Sequence, residues 1–353
     1  MSDSAWMIYG AGGHTGGAIA REAVARGMRP ILAGRNAAKI EALAAELGCE
    51  SRVFPLTDDP AQTARHLAGV ATVLHCAGPF SATSRPMIEA CLRAGAHYLD
   101  ITGEIAVIEA AAAYHRTAQE AGVSLIPAVG FDVVATDCLA AMLAREVPHA
   151  THLQLAFTLP RQVTPGTART VLEGLAAGGR ARIDGRIVKV PIAWKSMAVP
   201  FRGGTQRAVT VPWGDVASAW YTTGIGNIEV YLALPKLQIA VLRGGRWLVP
   251  LLKFRPLRSL LSRAIQRVVR STPSRGGQTG GASLWGRVHD AEGRSAEATL
   301  ETPDGYLFTV LSALASVDRV AAGGSPPGFS TPARAFGPDF VLTLPGTDFR
   351  RES

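Results

Sequence analysis

Near its amino end the chain reads Gly10-Ala11-Gly12-Gly13-His14-Thr15-Gly16. The short apolar run Trp6 to Tyr9 precedes this stretch, and the segment from Thr15 to Arg26 follows it with the composition of a helix that ends at Gly27. A glycine-rich turn between a strand and a helix is typical of a domain that binds a dinucleotide. A plain tight turn is the alternative interpretation.

The glycines of this turn have separate expected roles. The first suits a tight turn, the two in the middle leave the backbone open to an approaching pyrophosphate, and the last lets the helix pack close to the strand. The free N–H groups and the positive dipole end of the helix then face the phosphates. The predicted cofactor contacts in this turn are Gly10, Gly12, Gly13, His14, Thr15 and Gly16.

The end of the second predicted strand decides between NAD and NADP. It reads Leu32-Ala33-Gly34-Arg35-Asn36, without the Asp or Glu that holds a ribose 2′-hydroxyl in NAD enzymes. The Arg35 guanidinium can bind a 2′-phosphate instead, which predicts NADP(H), and a solvated surface arginine is the alternative. Asp58, after the third predicted strand, is expected near the adenine, with a turn or capping role as the alternative.

A second loop is expected beside the dinucleotide. The fourth predicted strand leads into Cys76-Ala77-Gly78-Pro79-Phe80, and the ligands of such sheets lie beyond the carboxyl ends of the strands. The small residues Ala77 and Gly78 would let the dinucleotide pass close, and Pro79 would stiffen the loop. Phe80 either forms a wall beside the nicotinamide or belongs to the core.

Strand and helix signals alternate through the first 147 residues. Short apolar strands separated by helical segments predict an α/β fold with a parallel sheet covered on both faces, the doubly wound Rossmann pattern. The predicted strands are Trp6 to Tyr9, Pro30 to Ala33, Ser51 to Pro55, Val70 to Cys76, His97 to Ile101 and Val123 to Val129.

The pattern changes after Pro148. Asp184-Gly185, the strongest two-residue hairpin signal, lies within the strand-like segment Arg182 to Val190, and residues 290–294 resemble a second hairpin turn. This half is predicted to be α+β with a mixed or antiparallel sheet. The expected division is an NADP-binding Rossmann domain at 1–147, a substrate or dimerisation domain at 148–330, and a C-terminal segment at 331–353 that packs back on the Rossmann domain.

Charge is unevenly distributed along the chain. The formal net charge is +8, yet the segment from Val230 to His289 contains eleven Lys or Arg and no Asp or Glu, so the remainder is mildly acidic. This distribution argues against nucleic acid as a partner. Residues 236–270 resemble basic amphipathic helices, which either contact an anionic membrane or a lipid-like substrate, or pack within the domain.

The cysteines are Cys49, Cys76, Cys91 and Cys138, and their spacing matches neither a metal-binding nor a redox pair. We therefore expect no metal site and no disulfide framework, as suits a reducing compartment. The sequence starts without a signal-peptide pattern, and no apolar stretch is long enough to span a membrane. The expected location is the cytoplasm, with peripheral membrane contact and a homodimer left open.

Longer motifs connect the chain to a known family. They are His97-Tyr98-Leu99-Asp100-Ile101-Thr102-Gly103-Glu104, Gly130-Phe131-Asp132 with Asp137 five residues later, and residues 331–340. Together with the glycine turn they resemble the saccharopine dehydrogenase-like oxidoreductases, a family that includes bacterial trans-acting enoyl reductases. The resemblance implies NADP(H)-dependent reduction, and it leaves open whether the bond is C–N or C=C.

The loops after the fifth and sixth strands are the expected place for catalytic residues, because hydride transfer often needs a proton donor near the cofactor. No tyrosine is followed four residues later by lysine, which argues against the proton-donor pair of short-chain dehydrogenases. The catalytic candidates are Glu104, Asp132 and Tyr98. The alternatives are helix capping for the two acids and a structural role for the tyrosine. The candidate substrate contacts are Thr102, Gly103 and Phe131.

These patterns predict an NADPH-dependent oxidoreductase that reduces a C=C or C=N bond of a small or lipid-like substrate by hydride transfer. The alternative is an NADP(H)-binding scaffold or redox sensor without turnover. The lack of an evident proton-donor pair in the sequence favours that alternative.

Overall fold

Two units of packed secondary structure make up the protein in a computed structural model that describes residues 5–57, 59–158, 178–245 and 281–352. The described residues of the first unit lie within Met1–Ala141 and Tyr306–Pro345, and those of the second lie within Met142–Gly305 and Gly346–Ser353. Each unit is therefore assembled from two separate stretches of the chain.

Strands and helices alternate along the first stretch of the chain, and strands predominate in the stretch that follows. The strands are β1 (Ala5–Tyr9), β2 (Ile31–Gly34), β3 (Ser51–Val53), β4 (Val70–His75), β5 (His97–Asp100), β6 (Ser124–Ile126), β7 (His152–Phe157), β8 (Gly179–Ile183), β9 (Arg186–Val190), β10 (Ser196–Phe201), β11 (Gly204–Thr210), β12 (Asn227–Ala233), β13 (Ala282–His289), β14 (Ser295–Thr302), β15 (Gly328–Phe329) and β16 (Asp348–Glu352). The helices are α1 (His14–Ala25), α2 (Ala37–Leu47), α3 (Pro60–Arg65), α4 (Phe80–Ala94), α5 (Ile105–Ala113), α6 (His115–Glu120), α7 (Val134–Glu146), α8 (Asp215–Thr223), α9 (Lys236–Gly245), α10 (Gly305–Ala321) and α11 (Pro332–Phe336), followed by a 3-10 helix at Pro338–Thr343.

The first unit contains a seven-stranded sheet in the order β15-β6-β5-β4-β1-β2-β3. All of its strand pairs are parallel. The chain starts at the centre with β1, builds outward through β2 and β3, and then returns to place β4 on the other side of β1. This is the doubly wound topology, and its switch point lies between β1 and β4. The predicted Rossmann fold is confirmed.

The strands and helices of this sheet form where the local sequence favours them. The apolar side chains of Met7 in β1 and Leu74 in β4 are fully buried, as expected for a sheet that helices cover on both faces. Helix α2 starts at Asn36, whose side chain accepts a hydrogen bond from the Lys39 amide, and it ends at Gly48 in a left-handed conformation. Both are favoured helix-end residues.

The second unit contains a mixed sheet whose main path is β10-β11-β12-β7-β13-β14-β16. Strands β12 and β7 pair in parallel, and the other neighbours on this path pair antiparallel. The β8–β9 hairpin turns at Asp184 and Gly185, which both have positive φ. This is the primed turn that Asp-Gly favours. The predicted mixed-sheet α+β architecture is confirmed.

The observed division of the chain differs from the predicted boundaries at residues 147 and 330. The sequence places α10 in the second domain, but this helix belongs almost entirely to the first unit. Its Ser312 hydroxyl donates to the Val129 carbonyl at 2.8 Å. The C-terminal segment 331–353 is divided as well. Its residues up to Pro345 belong to the first unit, whereas β16 pairs with β14 in the second unit.

No helix within the described ranges is long and apolar enough to cross a membrane. Of the basic segment 236–270, the structure describes α9, and residues 246–270 lie outside the described residues. Membrane contact through this segment therefore stays a prediction.

Candidate functional site

The glycine turn between β1 and α1 leaves no room for side chains at two of its positions. Gly10 has a φ of +93°, and a Cβ there would lie 2.8 Å from the Ala77 amide nitrogen. A Cβ on Gly16 would lie 2.5 Å from the Gly10 carbonyl oxygen. Contacts this short are excluded for real side chains, so both positions require glycine. The predicted roles of Gly10 in the tight turn and Gly16 in close helix packing follow directly from this geometry.

The start of α1 is open to a ligand. Gly13 is the N-cap residue, it provides no side-chain cap, and both Gly13 and His14 are exposed. First-turn amides have no acceptor within their own helix, so they are available for an anion. The His14 ring packs edge-on against Tyr306 of α10, with 4.9 Å between ring centroids. Sequence reasoning did not find Tyr306, because it lies almost three hundred residues away along the chain.

Two cations lie near the end of β2. Arg35 follows the strand directly and is exposed. The cap formed by Asn36 begins α2 and brings Lys39 against the glycine turn, since a Cβ on Gly12 would lie 3.1 Å from the Lys39 Cβ. Lys39 is a candidate site residue that the sequence analysis missed, although its place in the first turn of the helix after Arg35 was an available signal. The predicted adenine contact Asp58 lies outside the described residues.

Two polar side chains, those of Thr83 and His75, hold the loop after β4 in place. The Thr83 hydroxyl donates to the Ala77 carbonyl at 2.6 Å, with the Pro79 carbonyl oxygen at 3.0 Å. His75 Nε2 lies 3.0 Å from the same hydroxyl oxygen. Burial lowers the pKa of His75 to about 3, so the ring is neutral near pH 7. The loop, whose Gly78–Pro79 peptide bond is cis, is thereby fixed to its own helix.

Glu104 reaches across from the next loop to cap α4. Its Oε1 accepts a hydrogen bond from the Phe80 amide at 3.0 Å, and its Oε2 accepts one from the Ser81 amide at 3.1 Å. Glu104 therefore caps a helix, as its alternative interpretation proposed, but the helix is α4 and not α5, which Glu104 itself precedes. A catalytic role for Glu104 stays a prediction. The Phe80 ring packs edge-on against His75, with centroids 5.4 Å apart.

Asp100 is a buried carboxylate that joins the loops after β5 and β6. Its Oδ1 accepts hydrogen bonds from the Thr102 amide at 2.9 Å and the Ala128 amide at 2.8 Å. Its Oδ2 accepts the Tyr98 hydroxyl at 2.6 Å. Burial raises the pKa of Asp100 to about 6 although these bonds oppose the rise. Because Tyr98 is fully buried and bonded to Asp100, the geometry favours its structural alternative.

The loop after β6 brings Asp132, the second predicted catalytic acid, to the same edge of the sheet. A Cβ on Gly103 would lie 2.5 Å from Asp132 Oδ2, so glycine lets this carboxylate lie against the loop after β5 without shifting. Burial raises the pKa of Asp132 to about 6, although the residue as a whole is only partly buried. The Phe131 amide donates to Thr309 Oγ1 of α10 at 3.1 Å, and the Phe131 ring packs edge-on against Phe308.

The structure thus brings most of the predicted site residues to the carboxyl edge of the first unit's sheet. The loops after β1, β4, β5 and β6 contact one another through Gly10 and Ala77, through Glu104, and through Gly103 and Asp132. Thr102 itself is fully buried, and its hydroxyl accepts the Glu104 amide at 3.1 Å. Its direct contact with a substrate stays a prediction.

The residues at this edge fit a dinucleotide phosphate. The turn is closed to any Cβ at Gly10 and Gly16, the N-terminus of α1 is uncapped by side chains, and a cation follows the adjacent strand. Glycine-lined backbone, free helix amides and an arginine are the features that hold the pyrophosphate and a 2′-phosphate. No cluster of three or more metal-ligating side chains occurs among the residues that the structure describes.

Fold and site together define a Rossmann-type dinucleotide-binding unit. The family model of the saccharopine dehydrogenase NADP binding domain matches residues 6–126. This part of the chain is an NADP-binding domain that is similar to that of saccharopine dehydrogenase-like oxidoreductases. The family resemblance and the NADP(H) prediction drawn from the sequence are confirmed.

Curated relatives share this amino-terminal part. A probable mitochondrial saccharopine dehydrogenase-like oxidoreductase of Arabidopsis thaliana is 35% identical over 144 residues, which are 36% of this chain and 32% of that protein. A trans-acting enoyl reductase of Mycobacterium tuberculosis is 30% identical over 138 residues, or 37% of this chain and 33% of that protein. The matched region spans about a third of the length of each relative.

Solved structures resemble the whole chain in fold. Apo saccharopine dehydrogenase (L-Glu forming) from Saccharomyces cerevisiae has a TM-score of 0.68 at 14% identity, covering 99% of this chain and 100% of that one. A homospermidine synthase from Legionella pneumophila in complex with NAD has a TM-score of 0.63 at 12% identity, covering 99% and 92%. At these identities the likeness establishes the fold of both units.

Proposed function

We propose that the chain is an NADPH-dependent reductase that acts on a C=C or C=N bond of a small or lipid-like substrate. The observation that supports this most directly is the turn without side chains at Gly10 and Gly16, beside a strand that is followed by Arg35 instead of an acid. The names of the relatives, a saccharopine dehydrogenase-like oxidoreductase and an enoyl reductase, support the two bond types.

The residues of the first unit would divide the work along the sheet edge. The α1 amides would hold the pyrophosphate, and Arg35 with Lys39 would hold the 2′-phosphate. When bound, the dihydronicotinamide would supply a hydride. Asp132 is the candidate for proton exchange, because it lies in the loop after β6 at this edge and burial raises the pKa of its carboxyl to about 6. Its Oδ2 lies close to Gly103, where a Cβ would be only 2.5 Å away.

Coenzyme preference is tested by replacing Arg35. We expect Arg35→Ala to weaken NADPH binding by about tenfold or more and to leave NADH binding within about twofold, because a charge-assisted bond to phosphate is lost. Isothermal titration calorimetry with both coenzymes gives the comparison. Arg116→Ala, an exposed arginine on α6, is the matched control and should change neither affinity. Equal losses for both coenzymes would contradict the assignment.

Turnover is tested separately with the unmodified chain. Stopped-flow absorbance should detect oxidation of bound NADPH when an α,β-unsaturated acyl compound or an imine is added. Acceleration by either compound class supports the reductase and identifies the bond type. Tight NADPH binding without oxidation by any member of a broad panel would favour the alternative, a cofactor-binding scaffold or redox sensor.

A further inference from the structure

Glu104 links two loops that the sequence separates by more than twenty residues. Its carboxylate lies at the N-terminus of the fifteen-residue helix α4 and accepts both of the first two helix amides, those of Phe80 and Ser81. Its own amide donates to the Thr102 hydroxyl. A negative charge at this position is favoured by the helix dipole and by two charge-assisted hydrogen bonds. The position of α4 therefore depends on the loop after β5.

The segment that Glu104 holds is the loop between β4 and α4. Thr83 ties the Ala77 carbonyl to α4 from inside the unit, and Glu104 fixes the first helical turn from the neighbouring loop. Ala77 in turn packs against Gly10, where an added Cβ would lie 2.9 Å from the Ala77 Cβ. The loop thus forms one wall of the crevice at the switch point, directly beside the phosphate-binding turn.

This wall belongs to the nicotinamide half of the crevice. In a doubly wound sheet the two mononucleotide halves lie on opposite sides of the switch point. Arg35 and Lys39 place the 2′-phosphate, and hence the adenosine, on the side of β2. The side of β4 and β5 is left for the nicotinamide nucleotide. A change that moves the start of α4 should therefore affect one half of the cofactor and not the other.

We propose that Glu104 is a positioning residue that sets the place of the nicotinamide half of NADPH through the first turn of α4. The inference rests on the proposed function, since it presumes that the crevice binds NADPH. It assigns Glu104 a role through the loop it holds rather than through contact with the substrate.

The test compares a whole cofactor with its adenosine half. Adenosine 2′,5′-bisphosphate carries the 2′-phosphate but no nicotinamide, so it reports the β2 side alone. Glu104→Gln keeps the side-chain size and one acceptor oxygen but loses the charge. We expect this variant to weaken NADPH binding by about tenfold while the affinity for adenosine 2′,5′-bisphosphate changes by less than about twofold, measured by calorimetry.

A matched control lies on the same helix. Glu89 of α4 accepts hydrogen bonds from Tyr114 and Arg85 and is removed from the loop. Glu89→Gln makes the same carboxylate-to-amide change, and it should leave the ratio of the two affinities as in the parent.

Each outcome of the comparison either supports or overturns the positioning role of Glu104. Equal weakening of both ligands by Glu104→Gln, or no weakening of either, overturns the positioning role while the proposed function stands. A parent chain that binds neither ligand overturns the proposed function and this inference with it.

Hydrogen exchange on the unmodified chain gives the same test without a substitution. NADPH should slow amide exchange across residues 77–81 several-fold more than adenosine 2′,5′-bisphosphate does. Equal protection by both ligands would overturn the inference, even if the variant failed to fold.

Discussion

The buried carboxyl of Asp100 should make the stability of the protein depend on pH in a way that one substitution removes. Asp100 is fully buried, it accepts three hydrogen bonds, and burial raises its pKa to about 6 from an ordinary value of 3.8. Asp100→Asn removes the ionisable group and keeps an oxygen that can accept the Thr102 and Ala128 amides. The substitution therefore removes a titration with little change in size.

The sign follows from the direction of the pKa change. Because the pKa of Asp100 is higher in the folded state than in the unfolded state, the folded state retains the proton to higher pH. The contribution of Asp100 to the free energy of unfolding therefore decreases as pH rises from about 4 to about 6. A pKa of about 6 instead of 3.8 corresponds to about 3 kcal/mol in total, of which about 2 kcal/mol falls between pH 4 and pH 7. Relative to the variant, the parent loses this amount of stability over that interval.

Urea unfolding followed by circular dichroism at several values between pH 4 and pH 7 measures the effect. The quantity to compare is the change in unfolding free energy across this interval, parent minus variant. Asp132, with a raised pKa, and His75, with a lowered one, titrate in both proteins and cancel in the comparison. Asp132→Asn is a parallel test of the same reasoning, because it should also flatten the profile. An Asp100→Asn profile parallel to that of the parent would refute the reasoning.

Three further results are expected. Gly16→Ala should weaken NADPH binding by about tenfold or more, because its Cβ would lie 2.5 Å from the Gly10 carbonyl oxygen. Unchanged affinity in calorimetry would contradict the binding of the pyrophosphate at this glycine turn. Asp132→Asn should remove an inflection near pH 6 from the kcat/KM profile of any substrate found, and persistence of that inflection would assign it to another group. Asp137→Ala should destabilise the first unit by about 1–3 kcal/mol in urea unfolding, since buried Asp137 Oδ2 accepts the Ala333 amide at 2.9 Å; an unchanged midpoint would contradict this.

The parallel sheet was predictable because its signals are local. Strands such as β1 and β4 are short apolar runs, and α2 carries its own cap at Asn36. The sixth predicted strand, Val123 to Val129, is longer than observed, because Ala128 adopts a φ of 62° and gives its amide to Asp100. The seventh strand, β15, has two residues and forms by pairing with β6, which no local pattern indicates.

In the second unit, the sequence analysis did not predict β10, which contains Pro200. Proline is tolerated there since β10 ends the main path of the sheet and pairs with β11 on one side. The domain boundary differs from the predicted one for a related reason. The residues of α10 lie within the predicted second domain, but the unit that this helix joins is decided by contacts such as Ser312 with Val129, far apart in the chain.

The same distinction separates the predictable and unpredictable parts of the site. The glycine turn and Arg35 were found because strand, turn and helix are consecutive in the sequence. The acceptor role of Glu104 toward Phe80, and the junction of Gly103 with Asp132, join loops that meet only after the strands have paired. The sequence placed these residues at the correct edge of the sheet, and only the folded chain shows which of them hold one another.

The two-stretch construction of the first unit has a consequence for synthesis on the ribosome. The outer strand β15 and the covering helix α10 are translated after the main stretch of the second unit. Until they emerge, β6 has an unpaired edge and the nascent Rossmann sheet lacks part of its cover. Such edges invite pairing with other chains. A fragment that stops near residue 147 should therefore aggregate. The first unit, which binds the cofactor, should complete its folding after the second unit, whose main stretch is inserted in it.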